Sequence, residues 1–175
     1  MSAHEKPWLG LSDRDLLSDC KEEFIRSGGP GGQKRDKTSS AVRLTHVPSG
    51  VVAKATESRS REENRTRALR RMRQSIALQI RTDLNVENYR KIKLVSKYQD
   101  VSNRLRVNKK NPHWSLVVSH ILDLLQATRG RVGECGSLLG CSTGQLIDFL
   151  SSEPDLLVAA NNVRASFGVR RLKAN

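Results

Sequence analysis

Apolar positions change period several times along the chain, and each change marks an element. Ser12-Asp13 before Leu16-Leu17 reads as a capped short helix. Cys20 to Ser27 then alternates, with Phe24 and Ile25, as a strand does. Residues 40–46 set apolar Ala41 or Val42 and Leu44 between polar neighbours, a second strand. Val47-Pro48-Ser49-Gly50 is a turn in which Pro fixes one φ and Gly supplies another, so Val51 to Thr56 returns as the hairpin partner. From about Ser60 to Leu84 the period becomes helical: Leu69, Met72, Ile76 and Ile80 form one stripe, and Ser60 with Glu63 has capping-box spacing. The fold class this predicts is α+β, a small mixed β-sheet packed by one long helix.

Periodicity weakens over residues 83–113, which read as a basic linker or frayed helix stopped by Pro112. From Trp114 the texture turns helical again. Residues 115–127 form an amphipathic helix ending near Gly130. Residues 132–150 read as a short helix, a break at Gly140, a Ser142 cap and a second helix. Pro154 opens a further helix carrying Leu156, Leu157, Ala160 and Val163. Three parts are therefore expected: 1–82, a linker over 83–113, and a helical C-terminal domain over 114–175, helix-turn-helix-like. That last pattern serves packed helical domains as well as nucleic-acid readers.

Charge sharpens the division. The chain holds 31 Lys and Arg against 18 Asp and Glu, a net +13. Residues 1–82 carry 17 basic and 10 acidic side chains, 83–114 carry 8 and 3, and 115–175 carry 6 and 5. A polyanionic partner is implied for the first two segments, and near neutrality argues against DNA reading by the third. Low aromatic content (4%) argues against base stacking as the main binding mode. Arg61, Arg65, Arg67, Arg70, Arg71 and Arg73 crowd the first half of the long helix, where they stay solvated or meet phosphates. The basic linker is an RNA contact or a solubilising tether. Cys20, Cys135 and Cys141 lack metal-ligand spacing and suit reduced thiols. With no apolar run of membrane-spanning length and no targeting pattern, a cytoplasmic monomer is expected, without membrane, metal or cofactor.

Between the first two strands lies Ser27-Gly28-Gly29-Pro30-Gly31-Gly32-Gln33, backed by Lys34, Arg35, Lys37 and Arg43. A flexible Gly-rich turn is one reading. The other is a side-chain-poor tip that inserts backbone into a narrow nucleic-acid site, since glycine reaches positive φ at no steric cost. The spacing fits neither a phosphate-cradling loop nor a dinucleotide fingerprint. A Gln amide does not titrate in water, so catalysis here works by positioning and fixed dipoles.

The run Ile25 to Gln33, then Lys37 to Gly50, then Glu57-Ser-Arg-Ser60 and Asn64, resembles the catalytic domain of class I peptide chain release factors and of small ribosome-rescue peptidyl-tRNA hydrolases. The likeness covers roughly residues 12 to 82. It implies Gly31, Gly32 and Gln33 as catalytic residues: the Gln33 N–H stabilises the oxyanion, its side chain helps place the attacking water, and the glycines allow close approach. It implies RNA contacts at Lys34, Arg35, Lys37, Arg59, Arg61 and Arg65, with the ribosome, its peptidyl-transferase RNA and peptidyl-tRNA as partners. Lys34-Arg35-Asp36-Lys37 departs from the family's His-Val-Asn-Lys, which touches loop contacts with RNA rather than the triplet. Only about 27 residues precede the loop, too few for a codon-reading domain, so codon-independent ester hydrolysis on stalled ribosomes is expected. A basic tail in such relatives corresponds to residues 83–114 or to Arg170-Arg171-Lys173. The alternatives are a non-catalytic ribosome- or RNA-binding protein that kept the domain shape, and a regulator whose C-terminal helices read DNA.

Overall fold

The computed structural model describes residues 7–25 and 40–173. These divide into two units, Pro7–Ile76 and the chain from Ala77 onward. The division falls inside the long helix, ahead of the boundary expected at 82/83.

The first unit begins with α1 (Pro7–Gly10) and α2 (Asp13–Ser18). Ser12 caps α2 by accepting from the Asp15 N–H at 3.1 Å, and Asp13 and Asp15 sit in the first turn, where acidic charge favours the helix dipole. Three strands follow, β1 (Cys20–Ile25), β2 (Ala41–His46) and β3 (Val52–Ala55), in the spatial order β1-β2-β3. Both pairings are antiparallel, where a mixed sheet was expected. The β2–β3 return is too short for a parallel crossover. It closes through Gly50 N–H to His46 O at 2.8 Å and His46 N–H to Val51 O at 2.9 Å, with Gly50 at φ +70°. That is the left-handed position which favours glycine.

Cross-strand partners share a face of the sheet, so the register groups Glu22 and Phe24 with Val42, Leu44, Ala53 and Ala55. This face meets α3 (Arg61–Gln79), whose Ala68, Leu69, Met72 and Ile76 are buried. The opposite face carries Lys21, Glu23, Arg43 and Lys54. Only half of the expected capping box is made. Ser60 accepts from the Glu63 N–H at 3.3 Å, while the Ser60 N–H turns to Ser58 Oγ at 3.0 Å.

Helix α3 stops at Gln79 rather than Leu84, and the cause lies in the second unit. Buried Asp123 accepts from the Thr82 N–H at 3.0 Å and from Arg81 Nη1 at 3.5 Å, and Arg81 reaches back to the Ala77 carbonyl. The amide that another helical turn would use is thereby taken.

Residues 83–113, expected as a linker, hold α4 (Lys93–Lys97) and a bridge between Gln99 and Leu105. Val95, Leu105 and Val107 are buried there, and Gln99 Nε2 donates to the Leu139 carbonyl at 3.0 Å. The helices α5 (Trp114–Ala127), α6 (Val132–Leu139), α7 (Thr143–Ser151) and α8 (Pro154–Ser166) follow as their periodicity predicts. α5 is the centre of the unit, with Trp114, Val117, Val118, Ile121, Leu122 and Leu125 all buried, and it packs on α6 and α8 while α7 joins those two. Gly140 ends α6 at φ +74°. Ser142 starts α7 with a complete capping box to Gln145, at 3.2 and 2.9 Å. Among the described residues no helix is long and apolar enough to cross a membrane.

Candidate functional site

The residues expected to act, Gly31, Gly32 and Gln33, and the neighbouring cations Lys34, Arg35 and Lys37 lie outside the described residues. What the structure defines is the support on which that segment is carried. Ile25 and Ala41 are register partners at the end of the β1–β2 ladder, so residues 26–40 leave and re-enter the sheet at one cross-strand pair.

The C-terminal root is held by a residue that the sequence pattern did not single out as a site. Asn64 is fully buried on α3. Its Nδ2 donates to the Ser40 carbonyl at 2.7 Å and to the Ser58 carbonyl at 2.8 Å, while Oδ1 accepts from the Ser58 N–H at 3.0 Å. Three of the four bonds open to an amide are made. One side chain thus ties the end of the 26–40 segment to the entry of α3. A signal was present: Asn64 stands in phase with Ala68, Met72 and Ile76 along the buried stripe. A polar residue on such a stripe needs internal partners.

The arginines of α3 divide into two groups. Arg65 bonds both carboxylate oxygens of Glu22 on β1, at 2.7 and 3.0 Å, and Glu62 at 2.6 Å. The Glu22 hydrogen bond chiefly raises its already high pKa. Arg71 donates to the Lys54 carbonyl on β3 at 2.6 Å and pairs with Glu57, whose carboxyl it holds down to about 2. Arg73 gathers the carbonyl of Leu11 and the carboxylate of Asp13, each at 2.8 Å. Arg67 pairs with Glu63 at 3.6 Å. These four guanidiniums are answered inside the unit, and three of them fasten α3 to β1, β3 and the α1–α2 segment.

The second group faces solvent. Arg59 and Arg70 are exposed and form no ion pair with another described residue. Arg61, also exposed, lies over the Phe24 ring at 4.8 Å from its centroid. Arg59 precedes α3 and Arg61 and Arg70 lie on it, all three exposed, whereas Arg65 is committed to two carboxylates. On the open face of the sheet, Glu23 lies 3.2 Å from Lys21 and 3.8 Å from Arg43, so one carboxylate answers two cations.

Comparison with known proteins agrees with this architecture. The family model for the RF-1 domain matches residues 16–117. Peptide chain release factor 1 of Lacticaseibacillus casei is 45% identical over 76 residues, 43% of this chain and 20% of that protein. Peptide chain release factor 1 of Symbiobacterium thermophilum is 49% identical over 59 residues, 34% of this chain and 17% of that protein. The mitochondrial translation release factor in rescue of Danio rerio is 47% identical over 58 residues, 33% of this chain and 37% of that protein. The chain spans no more than 37% of the length of these curated relatives. With a match running from within α2 to the start of α5, across the whole sheet and the anchored segment between β1 and β2, the chain belongs to the RF-1 domain family.

Proposed function

We propose that this protein hydrolyses the ester of peptidyl-tRNA on stalled ribosomes without reading a stop codon. The observation that carries the reading is the anchored frame: Gly31-Gly32-Gln33 lies in a segment whose ends pair as Ile25 and Ala41 and whose last carbonyl is held by Asn64. In the reaction, water attacks the ester carbonyl, the acyl–oxygen bond breaks, and the tRNA ribose oxygen leaves with a proton. The Gln33 N–H bonds the developing oxyanion, and the Gln33 side chain orients the water. Gly31 and Gly32 let the backbone approach the ester closely. No ionising side chain is required at this tip, because a fixed dipole needs no proton transfer of its own.

Lys34, Arg35, Lys37, Arg59 and Arg61 are assigned to ribosomal RNA phosphates, and Arg65 is assigned instead to holding β1 on α3. Codon independence is supported by likeness to the rescue factor of Danio rerio, which matches this chain over 37% of its own length, a larger share than the release factors 1. We assign catalysis to the domain formed by residues 1–82 and attachment to residues 83–175.

The test uses stalled ribosomes carrying labelled peptidyl-tRNA, with the mRNA channel empty, filled with sense codons, or presenting a stop codon. Wild type is expected to release peptide without a stop codon, and Gln33→Ala, which keeps the backbone N–H but loses the water-placing amide, to be slower. Equal release by wild type and Gly32→Ala sinks the mechanism. Release only at a stop codon overturns codon independence. Tight ribosome association with no release at any concentration leaves a non-catalytic binder.

A further inference from the structure

The helical unit carries a cationic feature that the 26–40 segment does not use. Beyond α8 the chain passes Gly168 at φ +68° and doubles back along its own helix. The Val169 N–H donates to the Arg164 carbonyl at 3.0 Å. The Arg164 guanidinium then bonds the Arg170 carbonyl twice, through Nε at 2.9 Å and Nη2 at 2.6 Å, and spans to the Gly130 carbonyl through Nη1. Nearer the start of α8, buried Asn161 accepts from the Leu172 N–H at 2.7 Å and donates to the Leu172 carbonyl at 3.1 Å. Residues 169–172 are therefore a strap fixed by its own backbone rather than a loose tail.

Fixing the backbone leaves the charged side chains outward. Arg170, Arg171 and Lys173 are exposed, and none forms an ion pair with another described residue. The same guanidinium brings the 129–131 corner to the strap. Arg129 there is exposed at φ +53°, a left-handed conformation costly for a side-chain-bearing residue, and it too lacks an ion pair with a described residue. Gly130 follows at φ +73°, where an added Cβ would lie 3.1 Å from the Arg164 Cα. The exposed ring of Phe167 stands at the start of the strap.

We propose that this strap, with Arg129 and Phe167, is a docking surface for single-stranded RNA, separate from the 26–40 segment. Like charges held together on a fixed backbone, without a carboxylate of another described residue to answer them, repel one another unless a polyanion intervenes. Three of the four are arginines, whose planar fork suits phosphate. The exposed Phe167 ring, two residues ahead of the strap, offers a base a stacking partner, which single strands can present and duplexes cannot. The neighbouring helix-turn-helix does not compete for this role. Residues 132–151 contain no Lys or Arg, and Glu134 and Asp148 are exposed. Nucleic acid therefore meets the helical unit at the strap rather than at α7.

The experiment measures full-length protein by anisotropy against a labelled single-stranded RNA, a duplex DNA of equal length and phosphatidylserine vesicles over a salt series. The triple variant Arg170→Ala, Arg171→Ala, Lys173→Ala is expected to weaken RNA binding at least tenfold. It is also expected to flatten the slope of log affinity against log salt by about 2, since about 0.7 counterions are released per phosphate contacted on a single strand. Phe167→Ala is expected to weaken RNA binding by roughly tenfold with the slope unchanged, as lost stacking does. Unchanged affinity and slope in the triple variant overturn the proposal. So does a loss confined to duplex DNA or to vesicles. Lys34→Ala with Arg35→Ala is the control and is expected to preserve the strap-dependent change in slope. Gln33→Ala keeps the strap intact, so failure of peptide release and failure of RNA docking are read separately.

Discussion

His46 shows at the residue scale how burial sets a pH response. It is fully buried at the end of β2, with Nδ1 2.6 Å from Ser49 Oγ and its ring packed edge-on to Trp8 at 5.0 Å between centroids. Burial pulls its pKa below the usual imidazole value, against a smaller upward pull from Asp19. The unfolded chain then binds the proton more readily, so stability is full above about pH 6.5 and falls as pH drops from there through the lowered folded value. Thermal melts between pH 7.5 and 5 are expected to show this loss, and His46→Gln to remove that part of the slope. An identical slope in both proteins would show the imidazole has no such role. Alternation alone marks His46 as an outward or inward position on a strand. It carries no information on whether a neighbouring ring or hydroxyl will meet the imidazole.

At the scale of elements, α3 is a clamp whose inner surface is polar at one end and apolar along the rest. Asn64 joins the roots of the 26–40 segment and of the helix, while Leu69, Met72 and Ile76 supply the burial. Asn64→Ala deletes three hydrogen bonds and strands the Ser40 and Ser58 backbone groups, with an expected cost of about 2 kcal/mol or more. A shift in the urea midpoint and lost exchange protection at the Ser58 amide are the readouts. A midpoint equal to wild type would refute the anchoring role. The strands, the 47–50 turn and the starts of α2, α7 and α8 were legible because caps, prolines and alternation are local signals. The end of α3 was not. Asp123, far along the chain, takes the Thr82 amide, and no window around residue 80 contains that acceptor. The arginine cluster was visible as a cluster, and its i,i+4 pair Arg67–Glu63 is local, but its division between Glu22, Glu57 and Asp13 depended on which strands and turns came to face it.

The two proposals together divide the work of the whole molecule. Residues around the tip are assigned to chemistry, and the strap of the helical unit to holding RNA. Neutralising Arg170, Arg171 and Lys173 is therefore expected to raise the protein concentration giving half-maximal peptide release, with the rate at saturation unchanged. Gln33→Ala is expected to do the reverse, cutting the saturated rate and sparing ribosome association. Single-turnover release over a concentration series distinguishes the two. A triple variant that lowers only the saturated rate would show that the two functions are not divided in this way. Arg170, Arg171 and Lys173 stood out in the sequence as a candidate basic tail, but their fixing to α8 and the approach of the 129–131 corner did not, since Arg164 and Gly130 are 34 residues apart.

Read without its structure, the chain already specified an α+β domain, the helix-turn-helix spacing and a glycine-rich stretch ending in a non-ionising amide. Those features depend on residues close together in sequence, where propensity, capping and period act directly. Tertiary structure alone decided which strand and turn carboxylates meet the α3 arginines, where α3 ends, that Asn64 holds the Ser40 carbonyl, and that the Gly130 and Arg170 carbonyls converge on the Arg164 guanidinium. Each of those outcomes pairs groups distant along the chain, and hydrogen-bond and charge partners are chosen by where the folded backbone puts them.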